Sequence, residues 1–228
     1  YKLNSIKNLK KYFKIKEILL DKNIGLSKAL NIAIKKASSE WLVRFDSDDL
    51  CLRNRFEFIQ AKISEYGKEY DVLGTFINEF MDENKDLLKT RKVPLEFEKI
   101  KSKLFHMNPM NHVTVFFKRS ITFGHKDESF YPNIDGFEDY ALWVKLISKG
   151  YKFKNFSDIT VLVRVGNNML KRRSGLNYLF KEIKLRIYML KFAKRSQILE
   201  ILVFLILRLA AFSTPLFIKK IIYKFLRS

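Results

Sequence analysis

Trp41-Leu-Val-Arg-Phe-Asp-Ser-Asp-Asp49 is the most informative segment of this 228-residue chain. It opens with five largely apolar, β-favouring residues and ends in three carboxylates within four positions, those of Asp46, Asp48 and Asp49. A short apolar run bounded by such a cluster predicts a buried strand, over residues 41–46, that carries charge at its C-terminal end. Open α/β sheets bind ligands outside the carboxyl ends of their strands, so we expect a ligand site at this turn.

Two interpretations of this acidic turn are open. Three carboxylates so close together repel one another unless a cation lies among them. Carboxylate oxygens suit Mg²⁺ or Mn²⁺, and such ions are commonly shared with substrate phosphates. The turn is therefore either a metal–diphosphate site or an acidic strand-to-helix turn that caps the following helix.

The segment before the strand, residues 23–34, predicts a loop that turns into a helix. Gly25 and Ser27 are typical of such a junction, and apolar residues then recur at helical spacing. An exposed glycine next to a helix start can admit a phosphate. Asn23, Gly25 and Lys28 are therefore candidate ligand contacts, although packing alone would explain the rest of the helix.

The segment after the acidic turn, residues 52–66, has apolar residues at steps of four and three. This spacing is typical of an amphipathic helix with one buried face. Arg53 and Arg55 lie near its start, where a cation does not help a helix N-terminus. Pairing with the acidic turn would explain these arginines, and so would contact with a phosphate.

The middle of the chain predicts several further elements. Asn108-Pro-Met-Asn-His112 predicts a loop, in which His112 is either a ligand or a satisfied structural histidine, and we favour the structural role. The other predicted elements are strands over 16–20, 71–80, 113–117 and 159–165, a short helix over 95–104, and a long mobile loop over 121–136.

Residues 136–148 form a second informative segment. Apolar side chains surround most of the predicted helix, so we expect it to be almost entirely buried. Glu138 and Asp139 open it, and the helix dipole alone would explain acidic residues in a first turn. Two carboxylates that begin a buried helix, just after a flexible loop, are also where a general base can lie.

Composition narrows the class of protein. The hydrophobic content of 47% is ordinary for a globular domain, but the net charge of +20 is not. The length suffices for one large domain or for one domain with an appendage. The single cysteine, Cys51, excludes an internal disulfide framework and fits a reducing compartment. The chain starts at Tyr1 without an initiator Met or a signal peptide, so we expect a fragment or a processed piece.

The C-terminal quarter carries most of the charge. Residues 171–228 hold 14 Lys or Arg against two acidic residues, a net charge of +12. Arg208 and Pro215 interrupt the longest apolar run, which disfavours a membrane-spanning helix. Basic and apolar residues alternate over 217–227, which suits an in-plane helix on an anionic membrane, and the alternative is a helix packed on the domain or on a partner subunit. The same alternation disfavours nucleic-acid binding.

Four motifs in a fixed order resemble the family-2 nucleotide-sugar glycosyltransferases. Their order and approximate spacing match that family over about residues 15–170. The segment from Arg164 to Arg173 is also similar to bacterial members that build surface polysaccharides on lipid carriers. The motifs are Asn23-x-Gly25…Ala29-Leu-Asn31, Phe45-Asp-Ser-Asp-Asp49 with Arg53 and Arg55, Glu138-Asp-Tyr-Ala-Leu-Trp143, and Arg164.

The resemblance implies an α/β, Rossmann-like glycosyltransferase A fold. The catalytic domain would occupy residues 1–170 and be N-terminally incomplete, and a basic, amphipathic helical tail would occupy residues 171–228. The implied reaction is an inverting transfer from a nucleoside diphosphate sugar, expected to be UDP-linked, to a saccharide or lipid-linked acceptor in cell-surface polysaccharide synthesis. We expect a cytoplasmic protein held peripherally on the inner face of the cell membrane, with no nucleic-acid partner.

The matching positions imply residue roles. Asp46 and Asp48 would hold Mn²⁺ or Mg²⁺, and Asp46 would also contact the donor diphosphate. Asp139 would be the general base that takes the proton of the acceptor hydroxyl. Arg164 would contact the diphosphate. The residues that would lie near the donor are Asn23, Gly25 and Lys28.

Two rival interpretations remain. No equivalent of the family's early Asp-bearing, nucleobase-binding strand is visible in residues 1–20, so the chain is alternatively an inactive, membrane-associated remnant. Haloacid-dehalogenase-like phosphatases also place Asp-x-Asp after a strand, which leaves a metal-dependent phosphatase as the other alternative. Their motif is usually near the N-terminus and followed by Thr, whereas here Asp49 and Leu50 follow.

Overall fold

The computed structural model describes residues 13–81, 87–123, 129–166 and 175–212. These ranges form an α/β arrangement in which two 3₁₀ turns, His112–Thr114 and Arg119–Thr122, lie on either side of one strand. The helices are α1 (Leu26–Lys36), α2 (Arg55–Tyr66), α3 (Phe97–Lys103), α4 (Glu138–Ser148), α5 (Leu176–Leu190) and α6 (Arg195–Phe212). The strands are β1 (Trp41–Val43), β2 (Leu50–Cys51), β3 (Val72–Phe80), β4 (Leu87–Arg91), β5 (Phe116–Lys118) and β6 (Phe153–Arg164).

The strands form one sheet with the order β1-β5-β3-β6-β2, and β4 pairs with β3 beside this path. β3 and β6 run parallel, from the pair Val72–Phe153 to the pair Phe80–Arg164, and the other neighbours are antiparallel. β3 is buried along most of its length, as expected for a strand covered on both faces. Arg164 therefore lies at the C-terminal end of two parallel strands, the edge at which α/β sheets bind ligands.

The strand predicted over residues 41–46 is shorter than expected, because β1 ends at Val43. The guanidinium of Arg44 folds back onto the carbonyl of Phe45 and the carboxylate of Asp46. The backbone N–H of Arg44 still donates to the carbonyl of Val115 at 2.8 Å, but the partner segment before β5 is a 3₁₀ turn, so the ladder ends and the acidic residues lie in a turn between two strands. The exposed strand β2 then pairs with β6, which puts the acidic turn beside the C-terminal end of β6.

Most of the other predicted elements form. The helices predicted on both sides of the acidic turn are α1 and α2, and the helix of the second informative segment is α4. The strand predicted over 159–165 is longer and begins at Phe153, because its first half pairs with β3. The strand predicted over 113–117 begins only at Phe116, because a 3₁₀ turn precedes it.

The strand predicted over residues 16–20 is wrong. Residues 14–20 have no regular structure, and Leu19 is 90% exposed. A strand needs a neighbour to satisfy its backbone N–H and C=O groups. Among the strands that the structure describes, none pairs with this segment, so its apolar residues lie on the surface.

Part of the loop predicted over 121–136 is packed on the domain, and residues 124–128 lie outside the described part. Tyr131 is 1% exposed. Its backbone N–H donates to Asn31 Oδ1 at 2.9 Å, and its carbonyl accepts from Asn31 Nδ2 at 3.0 Å. These two hydrogen bonds join the segment around Tyr131 to α1. The glycines and proline that predicted a mobile loop therefore do not prevent this part of it from packing.

Helix α4 lies at the centre of the main apolar core, as its sequence predicts. Trp143 is fully buried and meets Phe153 of the sheet edge-on, with ring centroids 5.7 Å apart. Helix α5 contacts α4 and contributes the fully buried Leu185 and Met189 to the same core. Because sheet and helix cover α4 from two sides, its first turn, which carries Asp139, is held on a rigid support.

Helices α5 and α6 belong to the predicted basic tail and lie against the domain. Arg186 is 1% exposed and its Nη2 lies 2.9 Å from Oε1 of the buried Glu182. Arg186 Nη1 also donates to the carbonyl of Phe105 at 2.6 Å. On α6, the ring of Phe204 stacks on that of His106 with centroids 4.6 Å apart. Helix α5 is therefore packed on the domain.

The division into a catalytic domain over 1–170 and a tail over 171–228 stays a prediction. Residues 171–174 and 213–228, which include the cluster expected to contact a membrane, lie outside the described ranges. Among the helices within those ranges, none is long and apolar enough to cross a membrane.

We predict that Arg186→Ala lowers the free energy of unfolding by about 3–5 kcal/mol, because it removes the cation opposite a buried carboxylate. The matched control is Lys184→Ala on the exposed face of the same helix, which should change it by less than about 0.5 kcal/mol. Urea unfolding of both variants measures the difference. Similar values for the two variants would show that α5 is not anchored by this pair.

Candidate active site

The acidic turn is organised by an arginine from its own motif. Arg44 is 9% exposed, and its guanidinium pairs with the carboxylate of Asp46 and the carbonyl of Phe45. The backbone N–H of Asp49 closes the turn by donating to the carbonyl of Asp46 at 3.4 Å. The Asp46 side chain keeps 42% of its surface exposed, so it can contact a ligand while paired.

Arg164 meets the turn from the end of β6. Its Nε donates to the carbonyl of Asp48 at 2.7 Å, and its backbone N–H donates to Asp49 Oδ1 at 2.9 Å. The guanidinium also lies over the ring of Phe80, 5.1 Å from the centroid. The structure therefore brings Arg164 together with the acidic turn that contains Asp46 and Asp48, as a shared diphosphate site would require.

Asp49 is partly buried among like charges. Burial raises its pKa to about 6, the hydrogen bond from the backbone of Arg164 acts in the opposite direction, and the charges of Asp46 and Asp48 raise it further. A cation placed among these carboxylates would relieve both effects. The charge of Arg44 already acts in that direction, and a bound cation would add to its effect.

The two arginines after the turn, Arg53 and Arg55, lie in different surroundings. Arg55 is 1% exposed, and its Nη2 donates to the carbonyls of Arg44 and Val113 at 2.6 and 3.0 Å. Its guanidinium lies 5.0 Å from the centroid of the Phe45 ring. Arg55 therefore supports the backbone of the acidic turn from below, whereas Arg53 is exposed.

The donor set of the turn fits a hard divalent cation shared with a substrate. Within the described ranges, no three His, Cys, Asp or Glu side chains are grouped as a metal cage. Magnesium sites often use one or two protein carboxylates and take their other ligands from substrate phosphates and water. The carboxylates of Asp46 and Asp48, with that of Asp49 behind them, fit this kind of site.

Asp139 lies in the first turn of α4 and is half-buried. Its Oδ2 accepts a hydrogen bond from Asn108 Nδ2 at 2.7 Å. The neighbouring Glu138 is 8% exposed, and burial raises the pKa of its carboxyl group. Of the two acidic residues that open α4, Asp139 is therefore the one that a substrate can reach.

His112 lies in a closed aromatic environment. Its Nε2 is 2.8 Å from the hydroxyl oxygen of Tyr131, and its ring centroid is 5.5 and 5.9 Å from those of Tyr131 and Trp143. Burial lowers the pKa of His112 to about 4, although the charge of Asp139 acts in the opposite direction. The ring is uncharged at neutral pH, which agrees with the structural role that we favour for it.

The charges of Asp46 and Asp139 both act on the aromatic pair formed by His112 and Tyr131. Both carboxylates are among the charges that raise the pKa of His112 against the effect of burial. Both also raise the pKa of the Tyr131 hydroxyl, for which burial is the main cause. The acidic turn and the first turn of α4 therefore both lie within electrostatic range of this aromatic pair.

Of the three residues predicted near the donor, Asn23 and Gly25 lie in an exposed loop, and Lys28 is an exposed residue in the first turn of α1. Asn23 Oδ1 accepts from the N–H of Gly25 at 2.9 Å. Gly25 has a φ of 83°, which L-residues rarely adopt, and open space where a Cβ would point. Across the part of the chain that the structure describes, no hydrogen bond or ion pair links Asn23, Gly25 or Lys28 to the acidic turn. Their contact with the donor stays a prediction.

A cavity of about 290 Å³ opens between α1 and β1 beside the acidic turn. Leu30 and Ile34 of α1 and Trp41 of β1 give it an apolar lining, to which Arg44 and Tyr131 also contribute. The cavity therefore connects the turn, through Arg44, with the aromatic pair that includes Tyr131.

Sequence analysis missed Arg44, Asn108 and Tyr131 as parts of the site. A charged residue inside an apolar run was a signal that could have singled out Arg44. Asn108 and Tyr131 meet their partners only through tertiary packing, so no local pattern could have revealed their contacts.

Comparison with known proteins identifies the family. A family model for "Glycosyl transferase family 2" matches residues 3–124, more than half of the chain. The amylovoran biosynthesis glycosyltransferase AmsE of Erwinia amylovora is 35% identical over 179 residues, which cover 78% of this chain and 64% of AmsE. The Escherichia coli UDP-Gal:alpha-D-GlcNAc-diphosphoundecaprenol beta-1,3-galactosyltransferase is 34% identical over 191 residues, which cover 80% of this chain and 65% of that enzyme. The chain spans slightly less than two thirds of the length of these relatives.

Solved structures agree on the fold. The crystal structure of S. aureus TarS 1-349 superposes with a TM-score of 0.61 at 18% identity, over 92% of this chain and 59% of that one. The complex of the same protein with UDP-GlcNAc gives a TM-score of 0.60 at 17% identity, over 89% and 59%. At this level of identity the likeness concerns the fold alone. It confirms the predicted α/β glycosyltransferase A fold.

The matched region contains the acidic turn and ends before Asp139. The comparisons give no support to the phosphatase alternative, because the family model and the named relatives are those of sugar transferases. The resemblance drawn from four ordered motifs is therefore confirmed, and the chain belongs to glycosyl transferase family 2.

Proposed function

We propose that this chain carries the catalytic site of an inverting glycosyltransferase that moves a sugar from a UDP-sugar to a hydroxyl of a lipid-linked saccharide. One observation carries the proposal: the exposed acidic turn, held by Arg44 and Arg164, is accompanied by a half-buried carboxylate, Asp139, at the start of the core helix α4. The charges of Asp46 and Asp139 both act on His112 and Tyr131, whose side chains meet at 2.8 Å. The turn has the composition of a metal–diphosphate site. Asp139 offers a partly exposed carboxylate on a rigid helix, as a general base requires.

The choice of donor is supported by the relatives. The E. coli relative is named for UDP-galactose, and TarS has been crystallised with UDP-GlcNAc. These names concern those proteins, and they favour a UDP-linked hexose or N-acetylhexosamine here.

The choice of acceptor is supported by the names of two relatives. The name of the E. coli enzyme specifies a GlcNAc joined through a diphosphate to undecaprenol, and AmsE is named for the biosynthesis of the polysaccharide amylovoran. The first name favours an acceptor of the lipid-linked saccharide class, and the second favours a role in polysaccharide synthesis. Such an acceptor presents its hydroxyl group close to a membrane surface.

In the proposed reaction Asp139 acts as the general base. Its carboxylate takes the proton of the acceptor hydroxyl while the hydroxyl oxygen attacks C1 of the donor sugar. The new bond to C1 forms as the bond between C1 and the diphosphate oxygen breaks, and the electron pair of that bond leaves with UDP. One in-line displacement inverts the configuration at C1 without a covalent intermediate.

The acidic turn acts on the leaving diphosphate. Mg²⁺ or Mn²⁺ held by Asp46 and Asp48 would neutralise the negative charge that develops there. Arg164 adds a cation whose position is fixed by its bonds to Asp48 and Asp49. Because these bonds already orient Arg164, we expect little reorganisation when the donor binds.

We predict that Asp139→Asn lowers kcat by about 100-fold or more, because it removes the proton acceptor. The dissociation constant for UDP should stay within about twofold, since the donor side of the site is unchanged. Transfer from UDP-galactose, UDP-glucose or UDP-GlcNAc to a GlcNAc-diphosphate lipid measures turnover, and calorimetry measures UDP binding. Asp158→Asn, an exposed carboxylate of β6, is the matched control.

Two results would contradict this prediction. A folded Asp139→Asn variant with ordinary turnover would leave Asp139 as a helix-start residue only. No transfer by the wild-type protein with any of the three donors would favour the inactive remnant.

We also predict that UDP binding requires a divalent cation. Calorimetry of the wild-type protein should show that Mn²⁺ tightens UDP binding and that a chelator weakens it. Asp48→Ala should remove that difference, because it deletes one of two proposed metal ligands, and Asp158→Ala should preserve it. Equal UDP affinity in Mn²⁺ and in chelator would rule out the metal site.

We extend the proposal to the inner face of the cell membrane. Helices α5 and α6 expose large apolar side chains on their outer surface, among them Phe180 at 59% and Leu199 at 70%. The same C-terminal quarter has a net charge of +12. Apolar insertion contributes roughly 1.5–3 kcal/mol for each fully buried side chain, and each Lys or Arg near an anionic surface adds about 1 kcal/mol.

We predict that the protein binds vesicles that contain phosphatidylglycerol and that high salt weakens this binding only in part. The apolar share survives because salt screens charge alone. The double variant Phe180→Ser with Leu199→Ser should lower vesicle binding, whereas Phe56→Ser, an equally exposed residue of α2, should not. Flotation assays measure the bound fraction. No binding to any anionic vesicle would exclude this membrane contact.

A further inference from the structure

Asn108 lies in the loop before the 3₁₀ turn of His112 and touches the proposed base. Its side-chain Nδ2 donates to Asp139 Oδ2 at 2.7 Å. The two residues come from different parts of the chain, so this contact is a product of the tertiary fold. It gives Asn108 a direct influence on the orientation of the Asp139 carboxylate.

The amide of Asn108 is fixed in one orientation. Its Oδ1 accepts from the backbone N–H of Met110 at 3.3 Å. The backbone carbonyl of Asn108 accepts from Arg91 Nη2 at 3.2 Å, which fixes the main chain at this residue. Turning the amide over would place Nδ2 against the N–H of Met110 and Oδ1 against the carboxylate of Asp139. Both new contacts would be repulsive, so the donor of Asn108 faces Asp139.

The loop that carries Asn108 is held on both sides. Met110 is fully buried, and the carbonyl of Pro109 accepts from Asn155 Nδ2 at 3.0 Å. Asn111 Nδ2 donates to the carbonyl of Thr75 in β3 at 2.8 Å. The loop is therefore tied to the two parallel strands at the centre of the sheet, and it presents the Asn108 amide from a rigid base.

A carboxylate that serves as a base must direct one oxygen at its substrate. Asn108 occupies Oδ2 of Asp139, and among the described residues no hydrogen bond is made to Oδ1. The bond thus selects one rotamer of Asp139 and leaves one oxygen for the acceptor hydroxyl. A misplacement of about 1 Å at a reacting group can cost on the order of 100-fold in rate.

We propose that Asn108 is a positioning residue for the transfer reaction, which orients the Asp139 carboxylate towards the acceptor hydroxyl. This inference rests on the proposed role of Asp139 as the general base. Asn108 itself meets neither donor nor acceptor, so its effect passes entirely through Asp139.

The test uses variants of Asn108 in the intact protein. Asn108→Asp keeps the size of the side chain and the acceptor for the N–H of Met110, but it loses the donor and faces Asp139 with a like charge. We expect kcat to fall by about 10- to 100-fold, with the KM for the UDP-sugar and the UDP dissociation constant within about threefold. Asn133→Asp, an exposed asparagine before α4, makes the same charge change and should leave kcat unchanged.

Asn108→Ala removes the hydrogen bond to Asp139 without adding a negative charge beside it. This variant should also lower kcat and leave UDP binding intact. If both Asn108 variants fail to fold, judged by circular dichroism and thermal unfolding, the residue is structural and the inference is overturned. It is equally overturned if a folded Asn108→Asp variant keeps the wild-type kcat.

The exchanged pair tests whether Asn108 affects turnover only through Asp139. In the double variant Asn108→Asp with Asp139→Asn, the amide and carboxylate change places and the hydrogen bond can form again. We expect the thermal midpoint to recover towards the wild-type value, while kcat stays as low as in Asp139→Asn alone. A further fall in kcat in the double variant would show that Asn108 acts independently of Asp139 and would refute the inference.

These results also distinguish the inference from the proposed function. Full turnover by Asp139→Asn, or no transfer by the wild-type protein, removes the base and the positioning role together. An active wild type, an inactive Asp139→Asn and a fully active Asn108→Asp would remove the positioning role alone.

Discussion

The candidate site depends on one buried cation, the guanidinium of Arg55. A single nitrogen of this group donates to two carbonyls, one at the start of the acidic turn in Arg44 and the other in Val113 next to His112. Burial of a charged group is costly unless hydrogen bonds compensate for it, so any movement that breaks these bonds is strongly opposed. Arg55 therefore joins the backbone of the acidic turn to the segment that carries His112. The contacts of Arg44 and Arg164 then orient the side chains of the turn.

The two sides of the site are built differently. Asp139 stands on α4, which core side chains cover from the sheet and from α5, so its position depends on deep packing. The acidic turn is exposed, and its shape depends on short-range contacts of Arg44 and Arg164. A general base needs a fixed direction, whereas a site for a charged donor benefits from access to solvent and ions. The difference in construction matches the two tasks that we propose.

Local chemistry explains why part of this arrangement could be predicted from the sequence. Apolar periodicity predicted α2 and α4, and the cluster of carboxylates after an apolar run predicted the acidic turn. The end of β1 was misjudged because its partner β5 begins only after a 3₁₀ turn, and the periodicity of residues 41–46 carries no information about that distant segment. The bonds between Asn108 and Asp139, and between Asn31 and Tyr131, join distant segments, so they follow from the tertiary fold and could not be predicted from local patterns.

The position of β1 at one end of the sheet has a consequence for the colloidal behaviour of the protein. Among the described strands β1 pairs with β5 alone, and an unpaired strand edge is a template for pairing with other chains. The net charge of +20 opposes such contact, because like-charged molecules repel one another over distances that shrink as salt is added. Dilute buffer would therefore keep the molecules apart, while concentrated salt would let edges meet beside the cavity that Trp41 and Arg44 line. Self-association and occlusion of the site would then be the same event.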